Sequence, residues 1–210
     1  MDITLYYIHD PMCSWCWGYS PTWHMLKEKL PSKITVEYVA GGLAPDSDEP
    51  MPIAQQQAIE GYWRTIETKL GTQFNYDFWR KNIPRRSTYN ACRAVIAANK
   101  QGAQQEMIDA IQQGYYLDAL NPSDVDMLIG VAQRLTVQTS AKFNTAQFIQ
   151  DLSAKETEVE LQRQLNLARS LTQQGFPSLV LEVNGRYHQI SIDYLNYKTS
   201  LAEILTKLVP

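Results

Sequence analysis

Cysteine is scarce in this chain: three among 210 residues, at positions 13, 16 and 92. An odd and small number excludes the disulfide framework on which small secreted folds rely. No stretch approaches the roughly 20 consecutive apolar residues that a helix needs to cross a bilayer. The opening segment, MDITLYYIHDPMC, has no basic residues ahead of its apolar run, and Thr4 and His9 interrupt that run. It reads as a first strand and not as a secretion signal. With Met1 as the true start, a cytoplasmic protein is expected. Charge of one sign is also lacking, since 19 Lys and Arg face 22 Asp and Glu for a net −3. Phosphate binding needs clustered cations, so nucleic acid is not an expected partner, and neither is a membrane. The densest basic cluster, Arg80-Lys81 with Arg85-Arg86, reads as a solvated helix end. With 44% hydrophobic and 20% charged residues, the chain is long and apolar enough to bury a full core.

Repeats, low-complexity tracts and long linkers are missing too, and the hydrophobic periodicity divides the chain into three parts. Ile3 to Ile8 and Ile34 to Val39 are short β-branched and aromatic runs, typical of buried strands. A helical stretch from about Cys13 to Leu30 separates them, giving a strand–helix–strand unit long enough for parallel pairing. From about Pro50 to Leu152 helical spacing dominates, and four to six helices are expected. Within it, Ser123 is placed to cap a helix that holds Asp126 at its third position. A helix near Lys155 to Gln174 then presents Leu161, Leu165, Ala168 and Leu171 on one face and stops at Gly175-Phe176-Pro177. Asn184-Gly185 joins Ser178–Val183 to Arg186–Ile192, a strong hairpin signal because both residues tolerate the positive φ of a type I′ turn. A helix from Tyr197 to Leu208 closes the chain. The expected fold is α/β, in the order βαβ, helical insertion, αββα. Its boundaries are 1–45 and 154–210 for the two halves of the α/β domain and 46–153 for the insertion.

The chemistry resides in Cys13-Ser14-Trp15-Cys16. Directly after a strand, Cys13 should stand at or near the amino terminus of the next helix, where unpaired N–H groups and the helix dipole favour thiolate. Spacing of i to i+3 brings two cysteines within disulfide reach. The implied mechanism is attack by Cys13 on a substrate disulfide, followed by resolution through the more buried Cys16. A closed zinc site needs four ligands, and Cys92, His9, His24 and His188 supply no second paired motif, so no metal is expected. Trp15, Trp17, Tyr19 and Trp23 could frame an apolar groove, with Trp15 the most exposed. Cys92 reads as a small buried hydrophobe.

Asp10-Pro11-Met12-Cys13-Ser14-Trp15-Cys16-Trp17-Gly18, the helical insertion, and Gly175-Phe176-Pro177-Ser178 before the hairpin together resemble the DsbA family of the thioredoxin-like fold. The likeness is nearest to its cytoplasmic FrnE-like members, described as protein disulfide isomerases. The resemblance implies that Cys13 is the nucleophile, Cys16 the resolving cysteine and Pro177 a cis-proline facing them. Phe176 would offer its backbone to an extended substrate; Trp15 and Trp17, by their place beside the motif alone, are the candidate substrate-binding aromatics. Pro21 would be the proline inside the active-site helix. The Ser-Trp dipeptide lacks the histidine of strongly oxidising relatives, so a less oxidising pair is expected. No counterpart of the buried proton-relay acid of thioredoxins stands out, and Glu37 on the second strand is a candidate.

Three functions stay open. The leading one is a thiol–disulfide oxidoreductase or disulfide isomerase. It would need no cofactor beyond the Cys13–Cys16 disulfide and would act on protein or small-molecule thiols, with glutathione or a thioredoxin-type reductant. The second is a glutathione-dependent transferase or isomerase of the kappa or 2-hydroxychromene-2-carboxylate isomerase type, in which a serine usually replaces Cys13. The third is a non-catalytic chaperone or binding module.

Overall fold

The computed structural model describes residues 3–138 and 143–208, so Met1, on which the expectation about the start rests, lies outside the described residues. Strand β1 (Ile3–His9), helix α1 (Ser14–Lys29) and strand β2 (Thr35–Ala40) form the opening unit. Six helices follow: α2 (Ile53–Leu70), α3 (Phe78–Lys81), α4 (Tyr89–Asn99), α5 (Gln104–Tyr116), α6 (Val125–Gln138) and α7 (Thr145–Leu152). Helix α8 (Lys155–Leu171), strands β3 (Ser178–Val183) and β4 (Arg186–Ile190) and helix α9 (Tyr197–Lys207) complete the chain. The βαβ, insertion, αββα order is therefore the observed one.

The sheet runs β2-β1-β3-β4, with β1 parallel to β2 and antiparallel to β3. Alternation along β1 sends Ile3, Leu5 and Tyr7 into the main core with Tyr19, Trp23 and Leu26 of α1. Ile8 points to the opposite face, where Val39 and Val180 meet Ala168 and Leu171 of α8. The central strands are thus covered on both faces, as their near-continuous apolar sequence requires. Asn184 and Gly185 take φ of 50° and 79° and close the β3–β4 hairpin.

The insertion has its own aromatic centre. Trp63 is fully buried and stacks on Phe74 at 5.0 Å, with Phe78, Tyr115 and Tyr116 around it. Three local expectations change. Helix α8 stops at Leu171, three residues early, and β4 ends at Ile190. Helix α6 starts at Val125, so Asp126 is its second residue, and the Ser123 hydroxyl donates instead to the Ser87 carbonyl at 2.7 Å. A buried carbonyl from the preceding loop out-competes the helix end for that hydroxyl.

Candidate active site

The turn from β1 into α1 is built by Asp10. Its backbone carbonyl accepts from Cys13 N–H at 3.0 Å, and its carboxylate accepts from Met12 N–H at 2.8 Å. Pro11 between them fixes one φ of the turn. Cys13 therefore sits as the residue preceding α1, with extended φ and ψ of −81° and 115°, and no side chain caps the first-turn amides. The unpaired N–H groups of the first turn and the positive end of the helix dipole belong to that terminus.

Cys16 lies one turn on and is fully buried, while Cys13 is 7% exposed. Cys13 is thus the more accessible of the two sulfurs. Burial first, and then the neighbouring Cys13, push the Cys16 thiol well above its ordinary range. Opposite them the Phe176–Pro177 peptide bond is cis. The Phe176 carbonyl accepts from the Cys13 thiol at 3.4 Å, while the Phe176 ring packs over Gly41, where a Cβ would come within 2.2 Å of it.

A cavity of about 210 Å³ opens on Cys13. Met12, Trp15 and Phe176 line it from the α/β domain; Ile59, Tyr62, Arg85, Arg86, Thr88 and Tyr115 line it from the insertion. Trp15 is half-buried against Tyr194, ring centroids 5.3 Å apart. Trp17 lies elsewhere: its indole donates to the Gln73 carbonyl at 3.0 Å and its ring stacks on Tyr116, in a separate cavity with Pro21 and Met25. Tyr19 and Trp23 are core residues and frame no groove. Pro21 is within α1 as expected. His24 faces Asp109 at 3.3 Å on the helix surface. Among the described residues, no three His, Cys, Asp or Glu are grouped to hold a metal ion.

The buried acid beside the cysteines is Asp10 and not Glu37. Glu37 is partly exposed and pairs with Arg163 at 3.5 Å. Asp10 is fully buried; besides Met12 N–H it accepts from Leu43 N–H at 2.8 Å, the Thr88 hydroxyl at 2.7 Å and the Cys92 thiol at 3.7 Å. Burial pushes its carboxyl above the ordinary range, and the donors from Leu43, Thr88, Met12 and Cys92 pull it back. The available signal was the residue type, since Asp ahead of a turn bonds its own backbone two residues on. Cys92 is buried as expected, but its thiol donates to this acid. The basic cluster also divides. Arg80 and Lys81 end α3 and pair with Asp77. Arg85 and Arg86 belong to the loop before α4 and line the cavity.

A family model described as Thioredoxin matches residues 6–198. A solved structure from Nitrosomonas europaea, provisionally named a protein disulfide isomerase, superposes with a TM-score of 0.83 at 22% identity, covering 99% of this chain and 97% of that one. The cytosolic disulfide reductase DsbM of Pseudomonas aeruginosa gives a TM-score of 0.77 at 22% identity, covering 98% of each chain, and it is also known with GSH. In sequence, the ClpXP adapter protein SpxH of Halalkalibacterium halodurans is 23% identical over 93% of this chain and 69% of its own length. The structural likenesses show a thioredoxin-like fold with a helical insertion.

Proposed function

The chain belongs to the thioredoxin family, and from that premise we propose that it is a thiol–disulfide oxidoreductase in which Cys13 attacks and Cys16 resolves. One observation carries the proposal: Cys13 precedes α1 at the floor of a cavity, with Cys16 buried a turn behind it. The Cys13 thiolate attacks one sulfur of a substrate disulfide, and the other sulfur leaves as a thiolate and takes a proton. Cys16 loses its proton and attacks the Cys13 sulfur. The Cys13–Cys16 disulfide then forms, the substrate leaves reduced, and two electrons have passed to it. Two molecules of a thiol such as glutathione reduce the pair again, the first forming a mixed disulfide and the second leaving with it as the oxidised thiol's disulfide. The same steps reversed oxidise a dithiol, and repeated shuffling isomerises. Phe176, beside Pro177, offers the carbonyl at which an extended substrate segment docks, with Trp15 on the cavity wall.

The likeness to a cytosolic reductase, also solved with GSH, supports a reductase using glutathione in the cytoplasm. Among the described residues no helix is long and apolar enough to cross a membrane. The test is insulin reduction driven by dithiothreitol or glutathione, run beside Cys13→Ser. Catalysis that this substitution abolishes supports the redox reading; no catalysis by the unaltered protein refutes it.

The likeness to an adapter protein favours one second reading, a binding module that retains the pair. Partner binding unchanged by Cys13→Ser, together with no insulin reduction, is its signature. A kappa-type glutathione transferase is disfavoured by the complete pair, since conjugation has no use for Cys16.

A further inference from the structure

Resting on that redox reading, the cavity also says what its substrate carries. Arg85 and Arg86 both line it, and none of its described lining residues is acidic. The two arginines are not equivalent. Arg85 is half-buried and bonded to the Asp124 carboxylate. Arg86 is exposed and, among the described residues, has no hydrogen bond or ion pair. Its charge is felt at the Tyr115 hydroxyl in the cavity wall, which burial and then Asp10 push up, Arg86 pulls down and Cys13 pushes up slightly.

The loop that carries Arg86 is fixed on both sides. Before it, the Pro84 carbonyl accepts from Met51 N–H at 2.7 Å; after it, the Ser87 carbonyl accepts from Ser123 at 2.7 Å and Thr88 donates to Asp10. The backbone under Arg86 is therefore held in place, and its guanidinium, in no ion pair among the described residues, stands at the edge of a mostly apolar cavity. Its planar donors suit a carboxylate in two-point contact. A cavity of about 210 Å³ is smaller than the roughly 300–1,000 Å³ of drug-sized ligand sites. What enters is the short segment flanking the reacting sulfur.

We propose that Arg86 is the carboxylate-recognising residue of the Cys13 cavity, and that preferred substrates are disulfides and thiols with a carboxylate close to the reacting sulfur. A small molecule or an acidic peptide segment can supply that group.

The experiment compares reduction of three small disulfides: dithiodiglycolate (anionic), 2-hydroxyethyl disulfide (neutral) and cystamine (cationic). A peptide disulfide with Glu or Gln beside the cysteine forms a parallel arm. In the unaltered protein kcat/KM falls from anionic to neutral to cationic, and added salt compresses the order. Arg86→Gln lowers the anionic-to-neutral ratio about 2–5-fold, the size of an exposed charge pair. Arg86→Glu reverses the order, and Arg86→Lys keeps it. The Arg86-dependent order in either arm supports the subsite and identifies the carboxylate's source. Turnover that is blind to charge, or an order that survives Arg86→Glu, overturns the subsite alone. Failure to reduce even the neutral disulfide overturns the redox reading itself.

Discussion

The Thr88 hydroxyl donates to the Asp10 carboxylate at 2.7 Å. One bond thereby ties the residue preceding α4 to the turn that presents Cys13, and the insertion becomes part of the active site's frame. All four side-chain partners of Asp10 are donors.

Asp10→Asn places an amide N–H₂ against donors whichever way it is turned. Expected outcomes are a loss of about 1–3 kcal/mol in urea unfolding, the scale of a buried group left without its partner, and slower disulfide exchange. Thr88→Val, which leaves three donors, is expected to cost about 1 kcal/mol. An Asp10→Asn protein as stable and as fast as the unaltered one would refute this role.

Gly41→Ala tests the support behind Phe176. The new Cβ would meet the Phe176 ring at 2.2 Å, so the ring must swing, and Phe176 lines the cavity on Cys13. The ring's outer edge can swing away, so a near-normal melting temperature is expected beside a loss of roughly 10–100-fold in insulin reduction, as for other small misplacements of reacting groups. In a Phe176→Ala background the same substitution should cost far less, and this cycle is the check. An equal cost in both backgrounds would separate Gly41 from Phe176.

His9 gives the fold a defined acid sensitivity. Burial pushes its imidazole down from 6.5 to about 3, and its Nδ1 has no hydrogen-bond partner among the described residues. The unfolded chain binds this proton near pH 6.5, whereas the folded chain does so only near pH 3. The contribution is therefore fully present above pH 6.5 and lost as pH falls between these limits, at roughly 1.4 kcal/mol per unit. Chemical denaturation of His9→Phe against pH should give a shallower acid slope than the unaltered protein. Parallel slopes would contradict it.

How much of this was legible beforehand depends on the range of the interaction. Asn184-Gly185 announced its hairpin because both φ values are local properties, and Cys13-x-x-Cys16 announced its pairing because one helical turn sets it. The opening βαβ and the closing αββα were readable from periodicity for the same reason. The partners of Asp10 were not, because Leu43, Thr88 and Cys92 are separated from it by 33, 78 and 82 positions and meet it only after the insertion folds back. Ser123 misled for a related reason, since the competing carbonyl comes from Ser87, 36 residues away. Trp17 is next to the motif in sequence, yet its indole is held by Gln73, 56 residues on, under the insertion.

The central claim is that Cys13 is the outer sulfur and the one that attacks. Its most direct test is to react the Cys16→Ser protein with 2-hydroxyethyl disulfide and locate the adduct by peptide mass spectrometry. A mixed disulfide on Cys13, with Cys92 unmodified in the folded protein, is the predicted result. An adduct on Cys92, or none on Cys13 while the protein stays folded, would contradict it.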